Sequence, residues 1–463
     1  MLYKFRNCEN MLKYDELEEE CLWFSNTSNL NDPGEGLINF FWQGDEVAWL
    51  GLFKNYAWQL SEFTCRALFL KGNIEGFSKL FFCFSWESFS KNVFFTKRDG
   101  IADVVRQDKD VVELAETLNR HNCKISAYGL QFIFSILHRK FLYILAEEMA
   151  EKFEEFKVFD VMKLYFEQIC NDEVYQKRLS ELMRLVADMS RFEALAMKCY
   201  EQRENDRLKN TNNVIYGDIF QHIFFELDFQ KIYVERMRKF AFEDGYSCSF
   251  ADDFKSSVMW GNYADNHKGV ALIFDYEKSL KEIELEEISF DLNGNRKCKK
   301  SSVKCGVVKY SNSVPEFNWF YILGKLFVDE RSLWLIDNGK TSRILTKIHE
   351  DENKYSDSLF LADEMRMLRK EESWEYEQEY RFFRSYWLTD FYGNNGAGIN
   401  YRYNFDALKG IIFGIRTSLE QKKKVIDIIC SKCKKNKRDD FKFYQAYLDY
   451  VSGEVKIYEL NIM

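Results

Sequence analysis

Glu377 and Glu379 stand two residues apart in the last fifth of the chain, and Ser247 and Ser249 share the same spacing. On a strand the two glutamates fall on one face, where a pair of carboxylates can divide the work of charge stabilisation and proton transfer. Taken alone, Ser-x-Ser and Glu-x-Glu are common, and Glu-x-Glu on an edge strand is ordinarily a solvated face. Metal chemistry finds less support. Cys430 and Cys433 are the one Cys-x-x-Cys pair, half of a tetrahedral zinc site, and none of the five histidines forms His-Glu-x-x-His. No metal site is therefore predicted. Asp32, Asp252, Asp253 and His267 are the residues a metal-assisted nuclease would use, but they lack a recognised ligand spacing. Asn31-Asp32-Pro33 reads first as a turn, and Asp265 to Gly269 as a tight connection between strands or a polar loop over a pocket.

The elements that must position these residues divide the chain unevenly. Leu2 to Phe5 alternates as a strand, Glu9 to Glu20 reads as a helix, and Cys21 to Ser25 as a second strand. From about Glu46 to Phe242 the pattern is mainly helical. Its strongest stretches are Gly129 to Phe153 and Leu179 to Glu201, with Leu179, Leu182, Val186 and Met189 on one face. Strand signals return at Tyr246–Phe250, Val270–Asp275, Cys305–Tyr310, Tyr380–Arg384, Gly410–Phe413 and Val455–Leu460. The pattern predicts an α+β fold: a mixed or antiparallel sheet core assembled from both chain ends, with a long helical insertion. The expected parts are 1–45 and 243–463 for the core and 46–242 for the insertion. With only two prolines, boundaries must be loops between packed elements rather than Pro-rich linkers.

Composition narrows the setting. Of the 463 residues, 46% are apolar and 17% aromatic, ample for a core, while the net charge of -9 argues against a surface that tracks nucleic-acid phosphates. Lys422 to Asp440 is locally basic and reads as a solvated helix face. No export signal opens the chain, and the apolar stretch Leu130–Met149 is broken by His138, Arg139 and Lys140, so no membrane span is expected. Twelve cysteines without a framework are read as reduced, partly buried small hydrophobes in a cytoplasmic protein.

Four blocks carry a family likeness: Leu2-Tyr-Lys-Phe-Arg6; Trp23-Phe-Ser followed by Leu30-Asn-Asp-Pro33; Tyr246–Phe250 followed by Met259–Gly269; and Trp374–Arg381. In this order they resemble a widespread bacterial family, the domain of unknown function numbered 2971, whose layout looks like a divergent ADP-ribosyltransferase. The resemblance implies NAD as substrate. It assigns Arg6, Ser247 and Ser249 to NAD binding, with Lys4 where many relatives carry histidine, and makes Tyr263 an aromatic against the nicotinamide. Glu379 is expected to stabilise the oxocarbenium-like ribose and Glu377 to activate the acceptor.

The expected function is thus an NAD-consuming effector that transfers ADP-ribose to a macromolecule or hydrolyses NAD, of the kind that serves toxins and antiviral defence. The helical insertion would hold the target, a partner protein or a lid. The first alternative is a catalytically inactive binding module, and the second is the metal-dependent nuclease.

Overall fold

The computed structural model describes residues 1–70, 99–152, 157–211, 228–242, 245–290, 295–385 and 397–462. The chain forms two compact units, one of Met1–Ile38, Glu243–Pro315 and Leu361–Met463, the other of Asn39–Phe242 and Glu316–Phe360. The segment Glu316–Phe360, placed with the sheet core by the sequence, groups with the helices instead.

The first unit is a sheet. Its strands are β1 (Leu2–Arg6), β2 (Cys21–Asn26), β3 (Gly245–Ala251), β4 (Val270–Phe274), β5 (Glu282–Phe290), β6 (Arg296–Val307), β7 (Glu379–Ser385), β8 (Gly398–Arg402), β9 (Leu408–Phe413), β10 (Lys442–Leu448) and β11 (Val455–Leu460). All pairings in this sheet are antiparallel except β9 with β10. The order β7-β6-β5-β8-β2-β3 closes on itself through the β3–β7 ladder, and β1-β4-β9-β10-β11 continue from β3. The mixed, largely antiparallel sheet is therefore built from both ends of the chain.

Closure sorts the side chains. Successive residues of a strand alternate in direction, and paired residues share a face. Leu22, Phe24, Tyr246, Cys248, Phe250, Leu285, Val303, Tyr380, Phe382 and Tyr401 fill the inner face in one apolar cluster, which also takes in Leu2, Val270 and Leu272. Phe5, Ala251, Trp260, Ala271 and Ile412 pack in a second cluster on the opposite face. Three helices complete the parts used below: α1 (Cys8–Lys13), α2 (Ser257–Tyr263) and α3 (Leu419–Asn436). The helix expected over Glu9–Glu20 is shorter, because the chain turns after Lys13 and reaches left-handed φ at Asp15 and Glu20. α3 carries the basic stretch. Val425, Ile429 and Cys433 are buried on one side of it, and Lys423, Lys424, Lys434 and Lys435 are exposed.

The second unit is mainly helical. Ala127–Lys152 follows the predicted stretch, with Phe153 outside the described residues. Leu179 to Glu201 is two helices rather than one, because Asp188 accepts the Arg191 amide at 3.2 Å and starts a new helix there. Tyr56 stacks on Phe134 at 3.9 Å between ring centroids, and Trp42, Trp49, Trp319 and Trp334 are fully buried. A buried ion pair, Lys54 to Asp337 at 2.8 Å, is shared by Arg106 at 2.9 Å.

Candidate active site

Glu377 and Glu379 do not sit on one strand. Glu377 ends a short 3-10 turn, Glu372–Glu377, and Gln378 takes a left-handed backbone at φ 42° before Glu379 opens β7. This sparsely populated conformation swings both carboxylates toward the same cation. Lys370 Nζ lies 2.6 Å from Glu377 Oε2, 3.1 Å from Glu35 Oε1 and 3.7 Å from Glu379 Oε2. Arg381, two residues along β7 from Glu379 and on the same face, closes the cluster. Its Nε is 2.6 Å from Glu379 Oε1 and its Nη2 is 2.9 Å from Glu379 Oε2 and 2.6 Å from Glu35 Oε2. None of the five side chains is more than 5% exposed. Three carboxylates thus face two cations, and such burial is tolerable only because each charge has an opposite partner at hydrogen-bonding distance.

The surroundings tune the cluster. Burial works against the charged form of Glu379, but Arg381, then Lys370 and the Ser249 hydroxyl, outweigh it and hold the carboxyl below its ordinary value. For Glu35 burial wins, and its carboxyl is raised despite Arg381 and Lys370. Burial opposes the Lys370 charge too, yet Glu379, Glu35 and Glu377 together raise the ammonium above its ordinary value. Tyr310 accepts the Glu379 backbone amide at 2.8 Å through its hydroxyl and is pushed up to about 12, mainly by burial.

Glu377 is the member of this cluster that meets open space. Its Oε1 accepts a hydrogen bond from the Tyr263 hydroxyl at 2.5 Å, and burial followed by that carboxylate raises the phenol strongly. A cleft of about 340 Å³ lies beside it, lined by Ala251, Asp253, Lys255, Ser256, Ser257, Met259, Tyr376, Gln378 and the β10–β11 turn at Gly453–Val455. Tyr263 thus holds a carboxylate through its hydroxyl.

The remaining residues singled out by the sequence divide between the two faces of the sheet. Tyr3 pairs with Ala251, Ala251 with Glu379, and Ser249 with Arg381, so Ser247, Ser249 and Glu379 share one face. Lys4 and Arg6 have the other parity and lie with Phe250 and Cys248: Lys4 Nζ is 5.3 Å from the Phe250 ring centroid, and both charges act on the Cys248 thiol. Arg6 is engaged there by Glu16, with Nε 2.9 Å from Oε2 and Nη2 on Oε1. The expectation that Arg6, Ser249 and Glu379 line one pocket is corrected by the pairing register. Ser247 is buried, and its hydroxyl has no hydrogen-bond partner.

The nuclease set is scattered as well. Asp252 pairs with Lys278, Asp253 caps Lys255 N at 2.8 Å, and Asp32 is buried with Oδ1 on Gly34 N at 2.7 Å. Among the described residues no three His, Cys, Asp or Glu side chains gather as metal ligands. No helix among them is long and apolar enough to cross a membrane.

Sequence reasoning missed Glu35, Lys370 and Tyr310. Glu35 does have a signal, since the Asn31–Gly34 turn delivers it: Asp32 O accepts its amide at 3.1 Å. Arg381 stands in the Trp374–Arg381 block but had no role there. Lys370 had no signal; a two-residue parallel bridge to Lys309–Tyr310 sets it in place.

No curated protein and no solved structure matches the chain. Residues 259–382, which run from α2 through the Lys370–Arg381 segment, match the model of the family described as protein of unknown function DUF2971.

Proposed function

We propose that the first unit is an NAD-consuming, ADP-ribosyltransferase-like catalyst whose reacting carboxylate is Glu377, with Glu379 as its buried strut. One observation carries this reading: of three carboxylates set against two cations, Glu377 alone also lines a cleft, and Tyr263 and Lys370 fix its oxygens at 2.5 and 2.6 Å. A carboxylate held in a site of net negative charge stabilises the positive charge that develops on ribose as nicotinamide leaves. Glu379 has both oxygens on Arg381 and is not among the cleft-lining residues. Lys255, lining the same cleft, replaces Arg6 as the cation for the pyrophosphate.

A second reading, a binding module without catalysis, is favoured by the engagement of Arg6 with Glu16 on the far face of the sheet. That leaves no arginine among the cleft-lining residues to grip a pyrophosphate in two-point fashion.

Nicotinamide release from NAD by purified protein separates the two. Catalysis predicts release that Glu377→Gln lowers by about 100-fold or more. Absence of both release and NAD-dependent thermal stabilisation would leave the binding module.

A further inference from the structure

The turn after α2 holds an unusual arrangement that the carboxylate chemistry does not use. Asp265, Asn266 and His267 adopt φ values of 48°, 53° and 70° in succession, three non-glycine residues in the left-handed region. Single Asp, Asn or His residues visit this region, but three in succession persist only because their surroundings hold them. Those surroundings are specific: His267 N donates to Trp260 O at 3.1 Å, His267 O accepts from Arg416 N at 2.9 Å, and Gly269 N donates to Ala264 O at 2.7 Å. A Cβ on Gly414 would meet His267 O at 2.3 Å, so the glycine permits this approach.

The result is an imidazole laid parallel to the Trp260 indole, at 6.2 Å between centroids and 9° between planes, with Nε2 3.3 Å from Ser257 Oγ. Nδ1 is buried without a hydrogen-bond partner, which leaves Ser257 as the ring's hydrogen-bonding neighbour. Burial, then Arg416, holds the ring below the ordinary imidazole value, so it is unprotonated at neutral pH, and with its one proton on Nδ1 it accepts at Nε2. Ser257 is exposed and lines the same cleft as Glu377.

We infer that Ser257 is an acceptor hydroxyl of this cleft and His267 its general base, so that the protein ADP-ribosylates itself at Ser257. The inference rests on the NAD reading of the cleft. In the step, the bond between ribose C1′ and the nicotinamide nitrogen breaks with its electron pair going to nicotinamide. Ser257 Oγ forms the new bond to C1′, and its proton passes to His267 Nε2 and from there to solvent.

The test incubates the full-length protein with NAD, following nicotinamide release and, by peptide mass spectrometry, the site of any ADP-ribose gained. Wild type is expected to carry one ADP-ribose on Ser257. Ser257→Ala is expected to carry none on that peptide. His267→Asn, whose side chain tolerates left-handed backbone, is expected to be modified at least about tenfold more slowly with an unchanged unfolding midpoint. If nicotinamide is released while Ser257 stays unmodified, or if His267→Asn is modified as fast as wild type, the acceptor assignment is overturned and the NAD reading stands. If no nicotinamide is released, both fall.

Discussion

Glu379 and Arg381, two residues apart on one strand face, form a two-point ion pair at 2.6 and 2.9 Å in the interior of the sheet unit. The arrangement spends both oxygens of the glutamate that the sequence pattern marks first, and gives the guanidinium a second carboxylate in Glu35. Its role is to hold β7 and the preceding turn in the geometry that presents Glu377.

Glu379 and Glu35 should therefore carry opposite pH signatures, although they share Arg381. A carboxyl held below its unfolded value near 4.5 stabilises the fold above that pH and loses the contribution as pH falls through the folded value. One held above 4.5 does the reverse, losing its contribution as pH rises through the folded value. Urea titrations from pH 3.5 to 8 should show Glu379→Gln most destabilised above pH 4.5 and approaching wild type below it. Glu35→Gln should gain on wild type as pH rises above 4.5. Parallel curves for the two variants would refute the assignment.

Lys370→Met should cost about 3–5 kcal/mol, because it leaves Glu35 and Glu377 buried without the ammonium they share. The denaturant midpoint would report it. A loss below about 1 kcal/mol, the scale of an exposed pair, would mean that water reaches the cluster.

Arg6→Gln separates the two faces of the sheet. With Arg6 bonded to Glu16 and turned away from Ser249, the substitution should leave nicotinamide release and NAD-dependent stabilisation unchanged while lowering thermal stability. Lost NAD binding with an intact fold would return Arg6 to the site.

Gly51→Ala tests the helical unit. A Cβ there would lie 2.1 Å from the Trp334 carbonyl oxygen, so the helix Glu46–Leu70 and the segment Val328–Leu335 must move apart. The gain in helix propensity, about 1 kcal/mol, should be outweighed, for a net loss of about 1–2 kcal/mol in an unfolding titration. A stabilised variant would show that the approach is looser than described.

The mixed or antiparallel sheet and its origin in both chain ends were legible in the alternation of Leu2–Phe5, Tyr246–Phe250 and Val455–Leu460, whereas Glu282–Phe290, Gly398–Arg402, Lys442–Leu448 and most of Arg296–Val307, with their many charged and polar residues, gave no strand signal. The face on which each residue falls was not. Arg6 and Ser249 belong to strands whose pairing is fixed by contacts across some 240 positions, and a shift of one residue reverses every side chain. The turn between Glu377 and Glu379 was not legible, because Gln378 carries no turn signature, being neither Gly nor Asn at a left-handed position. Lys370 reads as a surface lysine until three carboxylates are seen around it. His267 could be located in a turn, but its alignment with Ser257 depends on the Arg416 amide that donates to its carbonyl oxygen.

Ring closure also orders events in time. Ser25 of β2 pairs with Gly398 of β8, so the ring cannot be completed until synthesis has passed Arg402. At typical elongation rates β2 waits for its partner on the order of tens of seconds, long enough for helices between Glu46 and Ala241 to form first. Until β3 and β4 have been made, β1 and β2 are unpaired strands on the nascent chain, a standing target for chaperones. The cleft beside Glu377 depends on β3, β7 and the β10–β11 turn, so it comes into existence only after the chain has been made through Val455, some seventy residues beyond β7.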